Sequence, residues 1–422
     1  MEKSELPIKN KKSVFLGHTE INGKMEKVYI QEEDRLKHIQ SFGASGSGKT
    51  TLMQNVIIQD IEMGNGVFVL DPTGNLVSDI LSKIPEHRKN DVVYFDAANT
   101  QMSLNLLEAN EDKSQVLVID SLFRILHELY DLKATGGPMF DVYMKNSIKL
   151  VLAHPESGCT LADVCKVLTD RDFRRYKLAF CDDEDVANFW DEASKVGGEA
   201  NLENMVPYLI SKLAPFLSDE LPKSIFGQQK SNLDFVKYMK NNKIVLISLN
   251  KNKIGEKMVS LLGLVIVELI FSAGISRESN NIESYNKLTP FFVYLDQINN
   301  YLGNGLGKII EELRLYKVGV YLTYNYFGQL SQLEKMRDCL MASCGTKFVF
   351  QCANSDAEIL KHEFLPNITM TNLIRPKKYA VNTVLLIDDQ RSRGFSLKVP
   401  ASSENMDDQK PKLWKNSKTA TN

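Results

Sequence analysis

Eight consecutive residues, GASGSGKT at 43–50, have the composition of a loop that wraps around phosphate groups, and they fit the Walker A pattern G-x-x-x-x-G-K-[ST] in full. The glycines let the backbone curl until successive N–H groups point at phosphate oxygens, at the start of a helix that favours negative charge. Lys49 is expected to reach the β- and γ-phosphates, and the Thr50 hydroxyl to ligate Mg²⁺. The predicted ligands are ATP and Mg²⁺. The residues predicted to hold the nucleotide are Gly43, Ala44, Ser45, Gly46, Ser47, Gly48, Lys49, Thr50 and Thr51.

A carboxylate for the metal is expected at the end of a buried strand. Two apolar stretches end in aspartate: GVFVLD at 66–71 and FFVYLD at 291–296. Asp296 is the preferred ligand because its stretch is the more apolar and follows a long helical segment, as in nucleotide-binding folds with an additional strand. Asp71 opens the turn DPTGNL, and two roles remain possible for it: it could cap the next helix, or it could contact the metal.

The residue after Asp296 is unusual for a nucleotide-hydrolysing site. A carboxylate at this position would act as a general base on water, but Gln297 carries an amide, which is a far weaker base. Its carbonyl oxygen can still hold a water in line with the phosphate. We therefore predict ATP binding with slow or conditional hydrolysis. Glu311 or Glu312, on the following helical pattern, could supply a replacement base.

The elements around these residues follow a strand–helix–strand order. The stretch LKHIQSF precedes the loop as a strand, the residues after it have helical spacing, and GVFVLD and DVVYFD read as further buried strands. Long helical patterns without a strand then dominate. Strand patterns return with KIVLISL, FFVYLD, VGVYLTY, TKFVFQC and NTVLLID. This order predicts an α/β sheet domain interrupted by an all-helical domain.

The expected domain boundaries follow from these changes of pattern. Residues 1–35 are predicted to form N-terminal strands or a hairpin, and 36–113 the first part of the nucleotide-binding domain. Residues 114–235 are the predicted all-α insertion, and 236–401 the second part of the sheet domain. The polar stretch 402–422 is predicted to be a disordered tail.

Bulk composition limits the possible partners. The net charge is −2, from 51 basic and 53 acidic residues, so binding to DNA would have to rely on local basic groups. Candidates are 9–12, 171–177 and 375–378. One segment, 258–276, is apolar enough for a membrane span, but Glu268 in its middle and the lack of flanking aromatic residues favour a buried helix. We expect a cytoplasmic protein without its own membrane span.

Several motifs together resemble one family. The stretch HIQSFGASGSGKTTLMQNVIIQDIEMGNGVFVLDPTGNLVSDIL is similar to the FtsK–HerA superfamily of ring-forming, DNA-pumping ATPases, and most of all to type IV secretion and conjugation coupling proteins in their soluble, TraG/TraD-like form. Further matches are SKLAPFLSDELPKSIFGQQKSNLDF, KIVLISLNKNKIGEKMVSLLG and RSRGFSLKVP. The resemblance runs from about residue 14 to 400. It implies a RecA-like P-loop NTPase sheet domain with an inserted all-α domain.

The resemblance also implies partners and further site residues. A homo-hexameric ring threading DNA toward secretion machinery is expected, with any membrane association made through partners. Arg314 would be the arginine that one subunit supplies to the nucleotide of its neighbour. On the strand after Asp296 the family has an Asn-Gln sensor, and this chain has Tyr324 and Asn325 at that position. The expected catalytic residues are therefore Gln297, Arg314 and Asn325. This chain also departs from the family at Thr73, where the family has histidine.

Two alternatives stay open. A nucleotide-gated scaffold would bind ATP and oligomerise without pumping, and Gln297 favours it. A viral or plasmid DNA-packaging motor would use the same chemistry as a coupling protein and would differ in its genomic context.

Overall fold

The computed structural model describes residues 6–401, apart from gaps at 8, 100, 110–113, 131, 133–136, 196–199, 278–281 and 302–305. The tail predicted at 402–422 lies outside the described residues. The strands are β1 Val14–Ile21, β2 Lys24–Ile30, β3 Ile39–Phe42, β4 Gly66–Asp71, β5 Val92–Asp96, β6 Ile244–Ser248, β7 Phe291–Leu295, β8 Val318–Tyr324, β9 Thr346–Val349, β10 Ala380–Val384, β11 Leu386–Ile387, β12 Gln390–Arg391 and β13 Phe395–Lys398.

Within the described residues, the longest run of α-helices without a strand lies between β5 and β6. The α-helices are α1 Glu32–Arg35, α2 Lys49–Glu62, α3 Asn75–Leu81, α4 Gln115–Leu129, α5 Gly137–Leu152, α6 Leu161–Thr169, α7 Arg171–Leu178, α8 Glu184–Lys195, α9 Ala200–Leu217, α10 Glu220–Phe226, α11 Phe235–Lys240, α12 Lys251–Ile254, α13 Glu256–Ile275, α14 Ile282–Lys287, α15 Leu306–Leu313, α16 Glu334–Ser343, α17 Asn354–Phe364 and α18 Met370–Ile374.

Among the described residues, one sheet of eleven strands has the order β2-β1-β13-β10-β9-β3-β8-β7-β4-β6-β5. The strands from β9 to β5 pair in parallel, whereas β2, β1, β13 and β10 extend the sheet as antiparallel strands beyond β9. The strands β3, β4, β6, β7, β8 and β9 are buried throughout, as continuous apolar runs in a parallel sheet should be. The predicted N-terminal hairpin is β1–β2.

Strand β8 lies between β3, which precedes the phosphate-type loop, and β7, which precedes Asp296. The parallel register aligns Phe42 with Tyr324 and Leu295 with Leu322. The carboxyl ends of β3, β8 and β7 therefore meet at one edge of the sheet, which is where α/β folds bind ligands. This is the additional-strand arrangement expected from the sequence.

The helices α4 to α11 lie between β5 and β6 in the chain, which places a helical insertion where the sequence analysis expected one. Apolar side chains of this insertion, among them Phe140, Leu213 and Trp190, share a continuous core with the helices and strands of the sheet domain. The insertion is therefore packed on the sheet domain. The domain boundaries themselves stay a prediction.

Helix α13 is long and apolar enough to cross a membrane by length and composition. In the fold, 83 % of its most apolar 18-residue window is buried. Glu268, in the middle of the helix, accepts a hydrogen bond of 2.7 Å from Arg124 of α4, and burial raises the pKa of its carboxyl. These are the properties of a central helix in a protein core. The packing therefore agrees with the buried helix that the sequence favoured over a membrane span.

A buried ion pair connects the helix after the loop to the strand before Asp296. The guanidinium of Arg35 donates to both carboxylate oxygens of Asp60 on α2 and, at 2.9 Å, to the hydroxyl of Tyr294 on β7. The Tyr294 hydroxyl in turn donates to Asp60. Arg35, Asp60 and Tyr294 are at most 2 % exposed. These contacts fix α2 and β7 relative to each other.

Replacing Tyr294 with phenylalanine removes two hydrogen bonds to buried charges, one accepted from Arg35 and one donated to Asp60, and leaves the ion pair in place. We expect Tyr294→Phe to lower the free energy of unfolding by at least about 1.5–3 kcal/mol, the range for a single hydrogen bond to a charged group. Urea unfolding followed by circular dichroism measures the change. Tyr94→Phe, on the exposed face of β5 with a side chain 42 % exposed, is the control and should stay within about 0.5 kcal/mol. Equal effects of the two variants would contradict this role of Tyr294.

Candidate nucleotide-binding site

The loop Gly43–Thr50 connects β3 to α2 at the carboxyl edge of the sheet. Gly43 has a φ of +144°, and a Cβ atom there would lie 2.7 Å from Cβ of Phe350, so only glycine fits. The N–H of Ala44 donates to the carbonyl of Gln351 at 2.7 Å. The end of β9 therefore holds one side of the loop, while residues 44–46 face solvent and leave the other side open to a ligand.

Lys49 is the first residue of α2, and its side chain folds back over the loop. Its ammonium group donates to the carbonyls of Gly43 at 2.6 Å and Ala44 at 2.9 Å. Burial lowers the pKa of Lys49 to about 8, and the charge of Asp296 opposes that shift. Lys49 is thus a cation held inside the loop, with two backbone partners that phosphate oxygens can replace.

This pKa gives an expectation for the pH dependence of binding. A phosphate group stabilises the charged ammonium, so the pKa of Lys49 should rise when a nucleotide binds, and affinity is then full below pH 8 and declines above it. Between pH 7 and pH 9 we expect the affinity for the non-hydrolysable ATP analogue ADPNP to fall roughly tenfold. Calorimetric titration at both pH values, in buffers of different ionisation enthalpy, should also detect proton uptake at pH 9. Constant affinity without proton uptake would contradict the expectation.

Asp296 lies directly after β7 and is 1 % exposed. Its Oδ1 accepts a hydrogen bond of 2.6 Å from the Thr323 hydroxyl on β8. Burial raises the pKa of this carboxyl, and the charge of Asp71 raises it further, while Thr323, Gln297 and Lys49 oppose the shift. A buried carboxylate with so few hydrogen-bond donors is suited to a divalent cation, which would replace the proton that burial favours. Together with Thr50 in the first turn of α2, it fits the donor set that Mg²⁺ prefers.

Gln297 has a left-handed backbone conformation, with φ of 48° and ψ of 57°. This conformation is uncommon for a residue with a side chain and marks positions that the surroundings hold in place. Its N–H donates to the Thr323 hydroxyl at 2.8 Å, and its side-chain amide lies 3.4 Å from Oδ2 of Asp296. The Thr323 hydroxyl therefore bridges Asp296 and the backbone of Gln297.

Thr323 was not predicted from the sequence, where Tyr324 and Asn325 stood at the sensor position. Tyr324 packs against Phe42 and donates its hydroxyl to Gln40 at 2.6 Å, so its side chain belongs to the core. Asn325 follows the end of β8, is half-buried, and donates its backbone N–H to Gln329. Its catalytic role stays a prediction. The side chain that β8 supplies to Asp296 is that of Thr323.

Asp71 is the last residue of β4 and is fully buried. One carboxylate oxygen accepts from the N–H and the hydroxyl of Thr73, both at 2.8 Å, and the other accepts from the N–H of Val77 at 3.1 Å. The sequence left two roles possible for Asp71, capping the next helix and contacting the metal. These hydrogen bonds cap the turn and α3, which is the first of the two. Thr73, where the family has histidine, is part of this cap.

Two predicted residues lie at the opposite edge of the sheet. Arg314 is exposed just before β8. Burial lowers the pKa of His38, the residue that precedes β3, and the charge of Arg314 lowers it further. Seven residues of β8 separate Arg314 from the loop's edge, a distance of about 23 Å. Arg314 therefore cannot serve the loop of its own chain. Glu311 accepts from Ser343 at 3.0 Å near the start of β9, and so it is no replacement base beside Asp296.

The basic groups proposed for DNA are exposed to different degrees. In 171–177, Arg174 is 6 % exposed and Lys177 is fully buried, with its ammonium donating to three backbone carbonyls. These two cations stabilise the helical insertion and do not face a ligand, which corrects the sequence prediction for this group. Arg171 and Arg175 remain exposed, as do the basic residues of 9–12 and 375–378.

Comparisons with known proteins agree with this description. The model of the family described as type IV secretory system conjugative DNA transfer matches residues 1–174. The plasmid coupling protein TrwB, solved with a non-hydrolysable GTP analogue, is 11 % identical with a TM-score of 0.67, over 95 % of this chain and 92 % of that one. VirB4 of Thermoanaerobacter pseudethanolicus is 12 % identical with a TM-score of 0.60, over 93 % of this chain and 98 % of that one. No curated protein matches the chain by sequence.

At such low identity the solved structures establish the fold, and the fold class predicted from the sequence, a RecA-like P-loop sheet domain with an all-α insertion, is confirmed. The resemblance is confirmed with it: the chain is similar to the type IV secretion and conjugation coupling proteins, in sequence over residues 1–174 and in fold over nearly its whole length.

Proposed function

We propose that this protein is a Mg²⁺-dependent ATPase of the coupling-protein type, which moves DNA toward a secretion machine as a ring of six identical subunits. The observation that carries the proposal is the meeting of the loop Gly43–Thr50 with Asp296 and Thr323 at one edge of a coupling-protein fold. Each of these parts has a role in phosphate chemistry. DNA as the partner rests on the family match over residues 1–174.

ATP would be held by the backbone N–H groups of the loop, by Lys49 and by the first turn of α2. TrwB has been solved with ADP and Mg²⁺ and with a non-hydrolysable ATP analogue, which supports the same ligands here. Lys49 would exchange the carbonyls of Gly43 and Ala44 for phosphate oxygens. Thr50 and Asp296 would hold Mg²⁺, which supplies charge neutralisation for the transferring phosphoryl group.

Hydrolysis would depend on water placed by Gln297. The water oxygen would attack the γ-phosphorus, the bond to the bridging oxygen would break, and ADP and phosphate would leave, with both protons of the water kept by the released phosphate. Because an amide cannot accept the proton at neutral pH, Gln297 only orients the water, and its rigid backbone, tied to Thr323, favours one orientation. Turnover would then be slow, or would require a partner. Asn325 lies one residue past β8 and is the second candidate, after Gln297, for orienting the attacking water at this edge of the sheet.

Arg314 would act on a neighbouring subunit. It is exposed at the edge of the sheet opposite its own loop, so only contact between subunits can bring it to a γ-phosphate. In that position it would stabilise the charge of the transferring phosphate. The proposal therefore requires assembly before efficient hydrolysis.

A second function is favoured by Gln297 itself. A nucleotide-gated scaffold would bind ATP at the same loop, assemble, and recruit partners without translocation. A DNA-packaging motor would share every residue role given above. The scaffold differs from both motors in having an ATPase rate that is independent of DNA.

The test is the steady-state ATPase rate with no DNA, with single-stranded DNA and with double-stranded DNA, alongside light-scattering mass in ADPNP. We expect at least one form of DNA to raise the rate several-fold and the mass to approach six subunits. A rate that is unchanged by either DNA would favour the scaffold, and a protein that stays monomeric with ADPNP would overturn the ring.

A further inference from the structure

A groove of about 1080 Å³ lies at the edge of the sheet opposite the phosphate-type loop. Three segments line it: residues within 6–12, residues within 31–37 that include α1, and 387–393 with the β11–β12 hairpin. Helix α1 lies just before β3, and the hairpin follows β10, which runs antiparallel to β9. The groove is therefore separate from the nucleotide site, although the exposed basic group 9–12 borders it.

Asp34 lines this groove and is 4 % exposed. The backbone of Asp388 donates a hydrogen bond to its carboxylate, but its Oδ2 is buried and has no hydrogen-bond partner within the described part of the chain. Burial, together with the charge of Asp388, raises the pKa of Asp34 to about 6, while Lys37 lowers it. A buried acceptor without a donor is costly, so this side chain calls for a cationic or hydrogen-donating ligand.

The neighbouring charges leave Asp34 without such a partner. Lys12 pairs with Glu32 at 2.8 Å, and Lys37 pairs with Asp389. On the opposite wall Arg391 lies 4.0 Å from Glu363, and Arg393 is exposed. Glu33 and Asp388 are also exposed and add negative charge to the rim. Asp34 is thus a buried acid of the groove, two of the basic residues that line it, Lys12 and Lys37, are paired with other acids, and Arg393 stays exposed.

We propose that this groove binds a basic segment of a partner polypeptide and places one arginine or lysine side chain against Asp34. The walls are largely charged and polar, unlike the apolar lining of most small-molecule pockets, and the groove crosses three segments, which suits an extended chain. A guanidinium group would satisfy Oδ2 and the exposed acids together through its several donors.

The test uses fluorescence anisotropy with a labelled hexa-arginine peptide and no nucleotide, so its result is independent of the ATPase proposal. We expect Asp34→Asn, which keeps the shape and the acceptor for Asp388, to weaken binding at least about tenfold. Glu20→Gln, the same change of charge at an exposed position on β1, should bind like the wild type. The melting temperature of Asp34→Asn at pH 7.5 should be no lower than that of the wild type, because a desolvated charge has been removed.

Three outcomes would overturn the proposal. Equal binding by Asp34→Asn and wild type would exclude Asp34 as the anchor, and equal binding of the uncharged hexa-citrulline peptide would exclude recognition of the cation. Free spermidine carries ammonium groups without a peptide chain. If spermidine displaces the peptide at the same concentration as unlabelled hexa-arginine, the groove takes a small polyamine and not a polypeptide.

Discussion

Lys49→Ala is expected to abolish measurable ATP binding, a loss of at least about 100-fold in affinity. The ammonium group is buried in the loop, with donors directed at the carbonyls of Gly43 and Ala44 that phosphate oxygens would replace. Alanine removes the cation and its hydrogen bonds to two phosphates, and it leaves those carbonyls facing the nucleotide. Calorimetric titration of ADPNP with Mg²⁺ measures the change.

Lys27→Ala is the matched control, because Lys27 is exposed on β2, away from the loop. It should bind ADPNP like the wild type. Circular dichroism should give Lys49→Ala the same helix content as the wild type, since the hydrogen bonds of the Lys49 side chain within the described residues go to the loop. A Lys49→Ala protein that is folded and still binds ADPNP within threefold of the wild type would refute the assignment of the loop.

Gln297→Glu is expected to raise ATPase turnover by about 100-fold, at the lower end of what a general base contributes. The new carboxylate would lie where the amide of Gln297 now approaches Oδ2 of Asp296. Two adjacent carboxyls raise each other's pKa, which brings the new base closer to neutral pH. The backbone at position 297 is already fixed by its hydrogen bond to Thr323, so placing the new carboxylate would cost little conformational entropy. Phosphate release at saturating ATP measures the rate.

The control for this variant is Gln228→Glu, an exposed glutamine in the loop after α10, which should leave turnover unchanged. ADPNP affinity measured on both variants separates an effect on binding from an effect on the chemical step. If the wild type already turns over briskly and Gln297→Glu does not change the rate, Gln297 does not limit hydrolysis.

The parts of the site that could be predicted from the sequence are those that lie together in the chain. Eight consecutive residues contain the whole phosphate loop, and a preceding strand and following helix give it context. Asp296 could be chosen as the metal ligand because it follows directly after an apolar strand. Gln297 could be recognised as a departure because its place next to Asp296 defines its expected role. The α/β fold followed from the alternation of strand and helix patterns.

The rest of the site depends on which strands are neighbours and in what register. Thr323 contacts Asp296 because β8 lies beside β7 with Leu322 opposite Leu295, and nothing within 318–324 alone indicates that register. Strand geometry adds one constraint once the packing of Tyr324 is known. Neighbouring residues of a strand point to opposite faces, so Tyr324 in the core places Thr323 on the other face. The contacts among Arg35, Asp60 and Tyr294 join three segments that are distant in the chain, so they could not be predicted from the sequence either.

Arg314 illustrates a different limit. The resemblance assigned it a role in trans, and in the fold the chain turns there from α15 into β8 at the edge of the sheet that is far from its own loop. Spacing along the chain cannot distinguish a residue that serves its own site from one that serves a neighbour's. Any role of Arg314 in hydrolysis is therefore a property of the assembly.

The most direct test of the account measures nucleotide affinity and turnover on the same wild-type preparation. We predict micromolar binding of ADPNP with Mg²⁺ and, without DNA, a turnover below about 1 s⁻¹, which is under the usual range for enzymes. That result would mean a complete binding site with weakened chemistry at Gln297. No binding at millimolar ADPNP, or turnover of tens per second without DNA, would contradict it.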